Sequence, residues 1–214
     1  MDLDSHPELA SRFLRWCGAG GASAPEAQKL WSDLSALYQE PHRHYHNLTH
    51  IAASLAELDD TGEGTPQLEG AIWFHDLIYD PTRADNEDTS ILWFEKATEE
   101  WLAPETRSAI ARLIAATDFR RPRSDDPDEA LMVDIDLAIL SAEWPVYDAY
   151  RRSVRREYSH VSEEAFRSGR AKVMASFLSA PIYRTPHFIP REASARKNIE
   201  REIAELGSAR PLAS

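Results

Sequence analysis

Apolar residues along this chain recur at intervals of three and four rather than two, and that spacing predicts helices almost throughout. In the second such segment Leu30, Trp31, Leu34, Leu37 and Tyr38 form one stripe, Ser23 or Ala24 stands ahead of Pro25 at the start, and the segment ends near Gln39, before Pro41. The segment before it, from Pro7 to Cys17, runs into Gly18 to Gly21, which is too rich in glycine to stay helical. The same reading places further helices at Leu48 to Leu58, Gln67 to Ile78, Asp88 to Trp101, Pro104 to Ala116, Asp128 to Leu140, Pro145 to Tyr158, Ser162 to Leu178 and Arg191 to Leu206. Alternating strand patterns are absent. Connections such as Asp59 to Pro66 and Arg120 to Asp128 are short, polar and rich in Gly or Pro, as in a helical bundle. The expected fold is therefore all-α, one compact bundle of roughly eight to ten helices over the whole chain.

Composition adds boundaries to this picture. The 214 residues suffice for one domain with a substantial core, and 43% hydrophobic with 28% charged residues is the balance of a soluble globular protein. The first ten residues are acidic and polar, unlike a secretory signal, and no apolar run approaches the roughly 18 to 20 residues that cross a bilayer. Cys17 stands alone, which excludes an intrachain disulfide and a cysteine-based zinc cluster, fits a reducing cytoplasm, and leaves His and carboxylates to hold any metal. The net charge of −12 opposes a stable nucleic-acid complex, despite basic clusters at Phe119 to Arg123 and Arg151 to Glu157. No membrane partner is expected, and the oligomeric state stays open, a homodimer included.

The candidate chemistry lies in three places. His42, His44, His46 and His50 crowd into nine residues, and on a helix His46 and His50 share a face and can point at one ion. Asn47 follows His46 where a zinc protease would carry its general-base Glu, which disfavours a peptidase. His75 and Asp76 sit in the run Ala71 to Asp80, on a helix expected to be apolar on nearly all sides, where a bound cation would offset the cost of burying a carboxylate. Asp134 and Asp136 lie two apart in Leu131 to Leu140. The helical pattern favours Asp136 as the buried ligand and leaves Asp134 to a supporting role or to solvent. Trp31, Trp73 and Trp93 read as core.

The order His, His-Asp, Asp resembles the HD superfamily of metal-dependent phosphohydrolases. The likeness extends over Tyr45 to Ile51, Phe74 to Ser90, Asp134 to Leu140, Val154 to Tyr158, Gly169 and Arg170, Ile182 to Phe188, and Ala195 to Ile203. These elements look like one branch of predicted, mostly bacterial HD phosphohydrolases of similar length. The resemblance implies a single HD-type helical domain over residues 1–214, with a metal-site core at about 37–141 and C-terminal helices at 145–206 packed on it. It makes His50, His75, Asp76 and Asp136 the metal ligands, and His46 the acid that protonates the leaving oxygen. Where relatives read Thr-x-x-His, this chain has Arg120 after Thr117, which implies one metal ion per chain rather than two.

The implied activity is hydrolysis of a small phosphate ester, with nucleotides as the nearest substrate class, by a metal-activated water that Asp76 orients or deprotonates. A divalent ion among Mn, Fe, Co, Ni, Zn and Mg suits His and carboxylate ligands. Arg170, Arg196 and Arg43 are the candidate phosphate clamps, with Arg155 or Arg156 behind them, and Glu87 is either part of a helix cap or a site residue. The alternative is an HD fold that binds metal or nucleotide with little or no turnover.

Overall fold

Residues 6–208 are described here in a computed structural model. Among them are ten α-helices and no strand: α1 (Pro7–Gly20), α2 (Ala24–Tyr38), α3 (Leu48–Thr61), α4 (Pro66–Phe74), α5 (Asn86–Thr98), α6 (Pro104–Ala116), α7 (Pro127–Asp136), α8 (Trp144–Glu157), α9 (Glu163–Leu178) and α10 (Glu192–Gly207). Short 3-10 turns cover Leu137–Ser141 and Ile189–Arg191. The all-α expectation is met. The chain forms two compact units that divide inside α7, one ending at Met132 and the other beginning at Val133.

In the first unit α4 is the central element, packed against α1, α3, α5 and α6. Its residues from Gly70 to Phe74 are all buried, so every face of the helix is covered. Phe13 of α1 packs edge-on to Trp73 at 5.2 Å, with Trp16, Trp31, Phe74 and Phe94 continuing the aromatic core. Each such ring contributes about 1.5–3 kcal/mol by leaving water. Gly70 permits close approach, because a Cβ there would stand 2.6 Å from Ile110 Cδ1 and 2.7 Å from Trp16 Cζ2. Local chemistry sets the helix starts. Ser23 and Glu26 form a reciprocal capping box on α2, and the Asn47 side chain accepts the Thr49 N–H at 2.9 Å at the start of α3.

Two helices depart from their apolar patterns. The helix expected to run to Ile78 ends at Phe74, because the backbone groups beyond it find other partners. The Leu77 N–H turns back to the Phe74 carbonyl at 3.2 Å, and the Ile78 N–H donates to Ser90 Oγ at 3.0 Å. The Arg43 guanidinium donates to the carbonyls of Asp76 and Leu77 at 2.6 and 2.7 Å. His75 and Asp76 therefore sit at a helix end, not within a helix. The helix expected over 128–140 likewise stops at Asp136 and tightens into the first 3-10 turn.

In the second unit α10 packs on α9 and on the first 3-10 turn, which also receives α8. Asn198 Nδ2 donates to the carbonyls of Leu140 and Ala142 at 2.9 and 2.8 Å, satisfying the end of that turn. Tyr147 Oη and Arg170 Nε both donate to the buried Glu202 carboxylate, at 2.5 and 2.9 Å. No described helix is long and apolar enough to cross a membrane.

Candidate metal centre

Within the first unit the folding of α3 and α4 brings three donors together. His50 lies one turn into α3, and its Nε2 stands 3.1 Å from His75 Nε2 at the end of α4. Asp76 Oδ2 is 3.5 Å from His50 Nε2 and 3.1 Å from His75 Nε2. Both imidazoles are buried, whereas Asp76 keeps part of its surface in solvent.

The chemistry of the set fits a cation. His75 Nδ1 lies 3.0 Å from the Ile72 carbonyl, which can only accept, so Nδ1 carries the proton and Nε2 turns a lone pair toward the other two donors. Ligands held about 2.1 Å from one ion at near-tetrahedral or right angles lie about 3.0–3.4 Å apart. The three observed separations are close to that range. Burial opposes ionisation of Asp76, and positive charge among His75, His46 and His50 outweighs it, holding the carboxyl far below the usual carboxylate range; with the imidazoles neutral, a cation bound at their Nε2 atoms would supply that charge instead. The triad can hold a metal ion.

His46 does not share a helix face with His50. Asn47 caps α3, so His46 precedes the helix, and the two rings lie 6.1 Å apart and nearly perpendicular. Its ring packs instead between Tyr45, edge-on at 5.0 Å, and Tyr79, stacked at 4.1 Å with 25° between the planes. Arg43 underlies this arrangement. Its side chain is fully buried and donates to the His46 carbonyl at 3.2 Å and to Glu40 Oε2 at 3.0 Å, besides the two carbonyls beyond α4. The guanidinium thus binds backbone at both edges of the centre.

Comparison with known families, curated proteins and solved structures finds no match. The remaining candidates are therefore placed by geometry alone. Glu87, on the first turn of α5, receives Arg120 Nη2 at 3.3 Å, and Arg120 is itself gripped by Asp118 through Nε at 2.7 Å and Nη2 at 3.0 Å. Burial pushes the Glu87 carboxyl above its ordinary value, with Asp118 and Asp76 adding to the rise and Arg120 opposing it. Glu87 thus lies within electrostatic range of the centre.

In the second unit the burial order of the two aspartates reverses the expectation. Asp134 is the fully buried one, and it accepts the Arg184 and Thr185 N–H groups at 2.9 and 2.7 Å and the Thr185 hydroxyl at 2.7 Å. It anchors the segment after α9 rather than facing solvent. Asp136, the last residue of α7, is half-buried. Arg170 bonds Glu202 and, through Nη2, Tyr150 Oη at 3.0 Å, while Arg196 bonds Glu192 at 2.6 Å and the carbonyls of Leu178 and Ala180. Trp31 and Trp73 are core, and Trp93 is half-buried against Phe74. The sequence reading passed over Tyr45 and Tyr79. Their places one residue before His46 and three after Asp76, inside the stretches Tyr45 to Ile51 and Phe74 to Ser90 that carry the resemblance, are the signals that could have drawn attention to them.

Proposed function

We propose that the chain is a metal-dependent phosphohydrolase of the HD superfamily, acting on a small phosphorylated molecule, with nucleotides the first class to test. The observation that carries this reading is the triangle of His50 Nε2, His75 Nε2 and Asp76 Oδ2, with the His46 imidazole beside it. His50, His75 and Asp76 hold one divalent cation, and Asp136 is assigned as the fourth ligand on its place in the His, His-Asp, Asp order. When bound, such a cation supplies Lewis acidity toward phosphoryl oxygens and lowers the pKa of water.

This chain's own groups do the rest. The Asp76 carboxylate, ionised and partly open to solvent, accepts a hydrogen bond from the attacking water and fixes its direction. The water oxygen bonds to phosphorus as the ester P–O bond breaks, and the electron pair leaves with the ester oxygen. His46 gives that oxygen its proton. The proton shed by the water passes to the Asp76 carboxylate and on to solvent, which reprotonates His46 after each turnover. A second reading, a binding module without turnover, draws support from Arg120, whose pairing with Asp118 and Glu87 occupies both of these carboxylates.

Elemental analysis of the purified protein, followed by a phosphate-release screen over nucleotides and simple phosphomonoesters with added Mn, Co, Ni or Mg, tests the proposal. About one transition metal per chain and metal-dependent release are expected, and His75→Ala should abolish both. Bound metal with ligand-dependent thermal stabilisation but no product would favour the binding module. Failure to load any metal would overturn both readings.

A further inference from the structure

We propose that Tyr79 is a positioning residue for His46, setting the direction in which the imidazole delivers its proton; this rests on the hydrolytic reading above. His46 stands outside α3, on the turn where the Asn47 N–H bonds the Tyr45 carbonyl at 2.8 Å, so helical geometry does not fix its side chain. Its backbone is held by Arg43 at the His46 carbonyl. Its ring is held by rings, and the Tyr79 face at 4.1 Å is closer than the Tyr45 edge at 5.0 Å or the His50 ring at 6.1 Å. Offset stacking of this kind restricts both side-chain torsions of the imidazole.

Tyr79 is itself fixed. Its carbonyl accepts the His42 Nε2–H at 2.8 Å, and the His42 ring lies parallel to its own within 8°. Arg43 reaches within 5.7 Å of the ring centroid while binding the carbonyls of Asp76 and Leu77 just before it. One guanidinium thus secures both the strip that carries His46 and the strip that carries Tyr79. The stacking surface is aromatic, so the ring is what the role requires and the hydroxyl is dispensable.

The test compares hydrolysis of p-nitrophenyl phosphate, whose leaving group departs without a proton, with ethyl phosphate, whose leaving alkoxide needs one. In Tyr79→Leu, kcat for ethyl phosphate should fall about tenfold or more beyond any fall for p-nitrophenyl phosphate, with Tyr79→Phe retaining the wild-type ratio. In a His46→Gln background Tyr79→Leu should change that ratio no further. Equal losses on both esters, or an additional change in ratio in the His46→Gln background, would overturn the inference. Tyr79→Met provides the same comparison should Tyr79→Leu not fold.

An independent readout is the carbon-bound imidazole proton resonance of His46, identified by its loss in His46→Gln. In Tyr79→Leu its ring-current displacement should fall to the part that Tyr45 supplies and its nuclear Overhauser contacts to Tyr45 should change as the ring turns, both persisting in Tyr79→Phe, and unchanged contacts to Tyr45 in Tyr79→Leu would sink the proposal. If the wild-type protein releases no phosphate with any metal, the hydrolytic reading falls, and this resonance still decides whether Tyr79 sets the ring.

Discussion

Single residues carry the sharpest distinctions between chemistry and architecture in this chain. Cys17, fully buried, has its thiol pushed up to about 12 by the loss of solvent. It should resist iodoacetamide at pH 8 in the native protein and react rapidly in denaturant, as mass spectrometry of the alkylated chain would read; fast native labelling would contradict the burial. Asp76, with His75 beside it, was legible because a carboxylate in an apolar run demands a partner, whereas the choice of His50 as a donor was what the family resemblance implied. Arg43 illustrates what was not legible. Its nearness to the histidines suggested a phosphate clamp, but a guanidinium's use depends on which carbonyls the fold places around it, and these come from residues more than thirty positions away. The burial order of Asp134 and Asp136 was hidden for a related reason: helical phase tells which side chains share a face, not which face the segment after α9 will cover.

At the scale of elements, periodicity located the helices well, and capping residues such as Ser23 marked their starts, because both signals are local. Ends were less legible, since α4 stops where Ser90 and Arg43 capture its backbone. The packing of α4 on α1 and α6 leaves no room at Gly70. Gly70→Ala should lower unfolding free energy by about 1–3 kcal/mol in urea denaturation, the usual cost of overpacking, despite its better helix propensity. At the start of α10, Glu192 accepts the N–H groups of Ile182 and Tyr183, both at 3.0 Å, and Arg196 Nε at 2.6 Å. Partial burial opposes its ionisation, but these bonds prevail and hold the carboxyl below the ordinary Glu range. Because the folded value is depressed, the stabilisation is fully present above the unfolded value near about 4.3 and is lost as pH falls through the lower folded value. The stability difference between wild type and Glu192→Gln should therefore be large at pH 7 and shrink as denaturation is repeated toward pH 3; a difference independent of pH would refute the assignment.

For the molecule as a whole, a cation held only by the folded chain would become a term in its stability. Free metal at 100 times its dissociation constant adds about 2.7 kcal/mol. Stripping with a chelator should lower Tm, restoring the metal should raise it, and neither should move Tm in His75→Ala; an equal chelator effect in the variant would place the ion elsewhere. Arg43 gives this centre a further property. It ties residues 43 and 46 to residues 76 and 77, and His50 meets His75 across 25 positions of chain. No fragment shorter than that closed loop contains the triad, so the donors converge only after the entropy of closing it has been overcome. A cation bound at these donors would therefore report that α3 and α4 have docked: a chain stalled before that step would present the same three residues with nothing to bring them together.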